Sequence, residues 1–185
     1  MTKILKKSFF QKPTLGVARN LLGKILIRKF RRKLIKGIIT ETEAYCGPED
    51  KASHASHGRT ERTKVMFGEA GTIYVYLIYG MHYCLNIVTE EKNYPAAVLI
   101  RGVRINLPDG KAGNQELSGP GKVSKYFHID KSLNAKKLGK KTGLWVEQDS
   151  NVLRSKIQAS RRIGVDYAGK WAEKPWRFFV VKYIL

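Results

Sequence analysis

The sequence has few cysteines and no long run of apolar residues. Cys46 and Cys84 are its only cysteines, which excludes a disulfide-rich secreted scaffold and fits a reducing compartment. The longest apolar stretch, Tyr74–Val88, is interrupted by glycine, histidine and asparagine and is too short and too polar to span a bilayer. Residues 1–16 contain no apolar core of a signal peptide. We therefore expect a cytoplasmic protein, associated with the nucleoid in a prokaryote, that makes no contact with membranes.

Acidic side chains are also scarce. The 185 residues include 35 Lys and Arg but only 15 Asp and Glu, so the formal net charge is +20. No acid precedes Glu41, and a second basic zone covers residues 122–141. A charge of this size favours a polyanionic partner, with nucleic acid ahead of an anionic membrane surface. The length fits one domain over residues 1–185, which we expect to be a monomer.

Local patterns predict a mixed α+β fold built on a largely antiparallel sheet. The predicted elements are a helix capped by Thr14, strands at Lys24–Phe30 and Leu34–Tyr45, a helix opened by Pro48, strands at Thr72–Tyr79, Tyr83–Thr89 and Ala96–Val103, a helix after Ser118, and a strand at Arg177–Tyr183. We expect a single domain whose curved sheet is flanked by helices and carries a protruding β-hairpin.

The first candidate site lies on the strand that ends at Tyr45. Alternation along a strand places Glu41, Glu43 and Tyr45 on one face. Two carboxylates beside a tyrosine could form an acid/base site, or they could be surface acids that balance a basic protein. Since a carboxylate within a phosphate-binding surface opposes affinity, the first interpretation is favoured, with either carboxylate as the base.

A metal site is the second candidate, and its pattern is poor. His54 and His57 have the spacing of a ligand pair, and Cys46 lies upstream. There is no second Cys/His pair at ligand spacing and no His-Glu-x-x-His motif. We therefore expect neither a metal nor another cofactor.

The third candidate is an aromatic hairpin. Tyr79 falls at the expected tip, beside Gly80, Met81 and His82. Such a tip could belong to an aromatic core, or it could be an apolar wedge of the kind that minor-groove proteins insert between base steps. A basic surface, a wedge and an acid/base site together favour chemistry on a nucleotide that is taken out of the base stack.

With these features in view, the sequence resembles the alkyladenine (3-methyladenine) DNA glycosylase family. The motifs that carry the resemblance are Glu41–Asp50, His54, Gly58–Thr60, Met66-Phe67, Gly71–Tyr76, Ile78–Met81, Asn86, Leu99–Arg101, Ser118–Lys122, Arg162–Val165 and Ala168–Trp171. They occur in the family's order over nearly the whole chain, so the match is specific although no single motif is.

The resemblance implies an enzyme that flips damaged purines out of double-stranded DNA and hydrolyses the N-glycosidic bond, leaving an abasic site for base excision repair. The damaged bases would be of the 3-methyladenine, 7-methylguanine, hypoxanthine and ethenoadenine type. It implies that Glu43 is the general base and that Arg101 and the carbonyl of Ile163 hold the attacking water. The remaining implied roles are pocket walls for Tyr45, His54 and Tyr76, rejection of guanine for Asn86, intercalation for Tyr79, groove contacts for Met66, Met81 and His82, and phosphate contacts for Thr60 and Lys122.

One segment departs from the family pattern. Residues 105–117 replace a longer, arginine-rich insert, so a DNA contact from this segment is in doubt. Two other functions remain open on composition alone. One is a non-catalytic RNA- or tRNA-binding module, which would not need Glu43, Tyr45 and Arg101 together. The other is a metal nuclease, whose ligand set the sequence lacks.

Overall fold

A computed structural model describes residues 3–106, 114–148 and 156–182. In these residues the strands are β1 Lys3–Ile4, β2 Ile25–Phe30, β3 Lys33–Cys46, β4 Ile73–Ile78, β5 His82–Val88, β6 Ala96–Asn106, β7 Asn114–Ser118, β8 Leu144–Gln148, β9 Lys156–Ser160 and β10 Arg177–Lys182. The α-helices are α1 Lys7–Phe10, α2 Thr14–Leu21 and α3 Pro120–Tyr126, and 3₁₀ helices occur at His54–His57, Lys64–Phe67, Lys131–Leu133 and Asp166–Trp171. The predicted mixed α+β fold is confirmed.

All strands join one antiparallel sheet, in which β3 and β6 are central. The order along its main path is β1-β8-β2-β3-β6-β5-β4, with β7 on β6 and with β10 between β3 and β9. The first half of β3 pairs with β2 and its second half pairs with β10, while β6 lies along its other edge. The long strand β3 thus runs from a basic hairpin to the junction of three neighbouring strands.

The β3–β6 pairing is irregular at Glu41, where the face that also carries Glu43 and Tyr45 begins. The register shifts on both sides of Glu41, which lies opposite Gly102. A side chain at position 102 would come within 2.8 Å of the Glu41 Cβ and 2.9 Å of the Thr40 hydroxyl, so only glycine fits this close approach. The irregularity marks the point from which Glu41 and Glu43 reach toward β6.

The main core lies between α2, α3 and one face of the sheet. Its large, fully buried side chains include Phe10, Leu21, Ile39, Leu85 and Phe127. A second, smaller cluster of Ala55, Met66, Tyr74, Val88 and Ala97 forms beside β4 and β5. No helix in the described ranges is long and apolar enough to cross a membrane.

Two helix predictions are corrected. Pro48 opens no helix, because residues 47–49 form a turn and Asp50 accepts the amides of Cys46 and Ala52. Thr14 is the first residue of α2 rather than its cap, since its hydroxyl and amide both bond to Glu90.

The predicted hairpins and the helix after Ser118 are confirmed with small changes of boundary. Most of the shortened segment, residues 107–113, and the predicted strand end at Tyr183 lie outside the described residues.

Candidate active site

A cavity of about 530 Å³ opens between the β3–β6 pair, the β4–β5 hairpin and the loops around residues 54 and 163. It gathers every residue to which the family resemblance gave a role in catalysis or base binding. These residues are Glu43, Tyr45, His54, Tyr76, Asn86, Arg101 and Ile163. They come from six chain segments, so the site exists only in the folded protein.

Glu43 is fully buried at the cavity wall and held by groups on three sides. Its Oε1 accepts the amide of Ile163 at 3.0 Å, its Oε2 accepts the Tyr45 hydroxyl at 2.9 Å, and the Arg101 Nε lies 3.6 Å from Oε1. Burial raises the pKa of Glu43, while Arg101, the Ile163 amide and the Tyr45 hydroxyl act in the opposite direction. The result is a carboxylate with a fixed position and a proton affinity above that of an exposed glutamate.

Glu41 lies behind Arg101 and does not line the cavity. Its Oε1 accepts the Arg101 Nε at 2.9 Å and the Arg177 Nη1 at 3.2 Å. The predicted shared face of Glu41, Glu43 and Tyr45 is confirmed by this connected set of contacts. The two carboxylates nevertheless have different surroundings, because Glu41 anchors Arg101 while Glu43 faces the cavity.

A buried ion pair supports this site from below. The side chains of Arg162 and Asp50 are both fully buried, and they form two bonds of 2.5 and 2.8 Å. Arg162 also donates to the carbonyls of Ala44 and Trp171 at 2.9 and 3.0 Å, and its guanidinium lies 4.8 Å from the ring of Tyr45. This Asp50–Arg162 ion pair, called the clamp below, fixes one wall of the cavity and places Ile163 beside Glu43.

Sequence reasoning missed the clamp and the contact between the Ile163 amide and Glu43. Asp50 and Arg162 are 112 positions apart, so no local pattern links them. A buried charge needs a partner, but burial itself is not visible in an irregular segment. The resemblance implied that the carbonyl of Ile163 holds the attacking water; the structure adds a contact that was not predicted, from the Ile163 amide N–H to Glu43.

Aromatic side chains form another wall. The rings of His54 and Tyr76 lie 4.6 Å apart edge to face, and the His54 Nδ1 lies 3.2 Å from the Tyr74 hydroxyl. Burial, together with the charges of Arg62 and His57, lowers the pKa of His54 to about 4. The imidazole is therefore neutral at neutral pH.

Asn86 lies on the floor of the cavity and is almost fully buried. Its Nδ2 donates to the carbonyls of Tyr74 and Cys84 at 3.3 and 3.4 Å. These two bonds fix the orientation of the amide, so a molecule that enters the cavity meets a rigid polar group there.

The β4–β5 hairpin ends in an exposed apolar tip. Tyr79 is 86% exposed and Met81 is 69% exposed. Tyr79 and Gly80 have φ values of 50° and 68°, and the Met81 amide closes the turn on the Ile78 carbonyl at 3.1 Å. Positive φ at both central residues is typical of a type I′ turn, which favours Asn-Gly or Gly-Gly. A tyrosine in this backbone conformation is an outlier that indicates a function.

The other residues predicted to contact DNA do not all lie on one surface. His82 is exposed next to the tip and lies beside Gly121 of α3, where an added Cβ would come within 3.1 Å of its side chain; Gly121 precedes the exposed Lys122. Thr60 is exposed on the loop before residue 63. Met66 is only 2% exposed, so it lies under the cavity in the smaller cluster rather than beside Met81.

The described residues contain no cluster of side chains that could form the metal site considered above. Throughout residues 3–106, 114–148 and 156–182, no three His, Cys, Asp or Glu side chains lie close enough to hold an ion.

Comparisons with known proteins agree with this geometry. Residues 8–183 match the family model described as methylpurine-DNA glycosylase. Proteins named as 3-methyladenine DNA glycosylases are similar over most of their length. That of Methanocella arvoryzae is 47% identical, with 95% of this chain and 92% of the relative covered. Those of Ehrlichia chaffeensis and Myxococcus xanthus are 46% and 44% identical, with 96% and 95% of this chain and 93% and 89% of each relative covered. The chain therefore belongs to the methylpurine-DNA glycosylase family, which is a family of hydrolases.

Proposed function

We propose that this protein is a DNA repair glycosylase that flips damaged purines out of double-stranded DNA and hydrolyses their N-glycosidic bonds. The observation that carries the proposal is the Glu43 carboxylate, held at the wall of an aromatic cavity next to an exposed tyrosine tip. The family match and the names of the relatives support it. The product is an abasic site, the starting point of base excision repair.

Hydrolysis needs a general base that takes a proton from water and a negative group that stabilises the positive charge developing on the sugar. As the bond between C1′ and the purine breaks, its electrons go to the base and the sugar gains oxocarbenium character. Glu43 stabilises this charge and takes one proton from the attacking water, whose oxygen bonds to C1′. Arg101 and the Ile163 amide keep the carboxylate in place during the step.

The cavity fits a planar purine. Tyr45, His54 and Tyr76 supply aromatic surface, and cationic alkylated bases gain cation–π attraction from such rings. We propose bases of the 3-methyladenine, 7-methylguanine, hypoxanthine and ethenoadenine type as substrates. The fixed amide of Asn86 would crowd the amino group of a normal guanine.

The test is release of free base from a duplex that contains one hypoxanthine or one 7-methylguanine, measured in single turnover with EDTA present. We expect the free base and a strand that breaks only after alkali treatment. Direct phosphodiester cleavage that stops with EDTA would instead show a metal nuclease. Tight binding of RNA without release of either base would show a non-catalytic binding module.

The exposed tip provides a separate prediction. If Tyr79 fills the place of the flipped base, Tyr79→Ser raises the cost of unstacking, which is a few kcal/mol. We expect a large loss of rate on duplex DNA, little change on a single-stranded lesion, and a melting temperature near that of the wild type. The measurement is a pair of single-turnover rates beside a melting curve. A core tyrosine would behave differently, because losing a buried aromatic costs ~3–5 kcal/mol of stability. A large drop in melting temperature or equal losses on both substrates would refute the wedge.

A further inference from the structure

Arg62 occupies the aromatic wall of the cavity, although neither the motifs nor the proposed mechanism use it. It is an exposed loop residue that lines the cavity. Its guanidinium lies 5.1 Å from the centre of the Tyr76 ring, and its Nη2 lies 3.4 Å from the His54 Nε2. A cation thus rests where an aromatic face would otherwise be free for a base.

The charge of Arg62 is not balanced by a carboxylate. Among the ion pairs of the described residues none includes Arg62, whereas Arg101, also in the cavity wall, pairs with Glu41 and Glu43. The field of Arg62 is felt by its neighbours, since it contributes after burial to the lowered pKa of His54. The side of the cavity at His54 and Tyr76 therefore carries a positive charge with no ion-pair partner among the described residues, whereas Glu43 is paired with Arg101.

We propose that Arg62 is a specificity-determining residue that favours neutral purines over cationic ones; this inference rests on the proposed function. A neutral purine such as hypoxanthine leaves with the electrons of the broken N-glycosidic bond and becomes negatively charged. A nearby guanidinium stabilises that developing charge. A 7-methylguanine base is already cationic, so Arg62 repels it on entry and competes with it for the Tyr76 ring.

The two substrate classes should therefore respond to Arg62→Gln in opposite directions. We expect the single-turnover rate at subsaturating enzyme to fall on the order of tenfold for hypoxanthine and to rise several-fold for 7-methylguanine. Such factors suit one unit charge near a partly solvated reacting base. Arg62→Lys keeps the charge and should stay closer to the wild type for both bases.

Arg59 provides the matched control. It lies on the same loop, carries the same charge, and its guanidinium lies 5.8 Å from the ring of Phe67, away from the residues that line the described cavity. Arg59→Gln should change both rates by a common factor, because it removes only a general attraction to DNA.

The possible outcomes distinguish a failure of the specificity role of Arg62 from a failure of the proposed glycosylase function. Opposite shifts in Arg62→Gln alone support the inference. A common factor for both bases in Arg62→Gln, as in Arg59→Gln, or shifts of reversed sign would overturn the specificity role while leaving the glycosylase intact. Wild-type protein that releases neither base would overturn the proposed function and this inference together.

Discussion

Glu43→Gln is expected to abolish base release, with a fall of ~10²–10⁴-fold in the single-turnover rate. Glutamine keeps the shape of the side chain and an oxygen for the Ile163 amide, but it cannot take a proton from water. Affinity for lesion-containing DNA should stay within a few-fold, since Glu43 is fully buried and a buried side chain is not available to a phosphate backbone on the surface. The measurement is base release with excess enzyme, together with a binding titration on the same duplex.

Glu41→Gln is the control for this change. Glu41 lies outside the cavity lining and binds Arg101 and Arg177, so its loss should loosen Arg101 and slow the reaction far less. A near-normal rate for Glu43→Gln, or a larger effect at Glu41, would remove Glu43 from the role of base.

Glu43→Gln should also change the free energy of unfolding, and the direction of the change follows from the pKa of Glu43. Burial raises the pKa of Glu43, so the folded protein binds this proton more tightly than the unfolded chain does. Above the folded-state pKa, the ionised carboxylate therefore lowers the free energy of unfolding. This destabilisation disappears as the pH falls from the folded-state pKa to the unfolded-state pKa. Glu43→Gln should melt at or above the wild-type temperature at neutral pH, with the difference shrinking toward about pH 4. Activity that needs the ionised form should fall over the same acid limb.

Asp50→Asn should produce the largest loss of stability. It leaves the guanidinium of Arg162 fully buried without its charge partner, and breaking such a pair from one side costs about 3–5 kcal/mol. Guanidinium chloride unfolding followed by tryptophan fluorescence measures the loss. Release activity should fall as well, even at temperatures where the variant is folded, because the clamp positions Ile163 and Tyr45.

The exposed pair of Arg161 and Glu173 offers the matched control. Their charged atoms lie 3.9 Å apart, with side chains 67% and 73% exposed, and Glu173→Gln should leave the unfolding midpoint near the wild type. The double variant Asp50→Asn/Arg162→Met should recover part of the stability, because no buried charge is then left unpaired. A midpoint for Asp50→Asn equal to that of Glu173→Gln would show that the clamp is not a structural anchor.

Strand periodicity explains why the shared face of Glu41, Glu43 and Tyr45 was predictable. The alternation of side chains is a local property of the backbone, so Glu41, Glu43 and Tyr45 could be placed together without knowing what β3 pairs with. The exposed tip at Tyr79 was predictable for the same reason, since glycine and its neighbours mark the turn of a hairpin.

The Pro48 helix was wrong because a distant contact outweighs local preference. Proline followed by two acids is typical of a helix start, yet Asp50 forms two strong bonds to Arg162 and accepts two backbone amides in a turn. Charge-assisted bonds in a buried place are worth more than a first-turn preference. Arg62, which forms no ion pair with any residue that the structure describes, escaped notice because its neighbours cannot be read from spacing.

The backbone at Tyr79 also bears on how this protein can change. A residue with a Cβ at φ 50° costs the folded state of order 1–2 kcal/mol that glycine would not. Selection for thermal stability alone would therefore replace this tyrosine with glycine or asparagine, residues at ease in the left-handed region, and would remove the proposed wedge. If Tyr79 is that wedge, laboratory evolution for heat resistance and selection for survival of alkylation damage should pull position 79 in opposite directions.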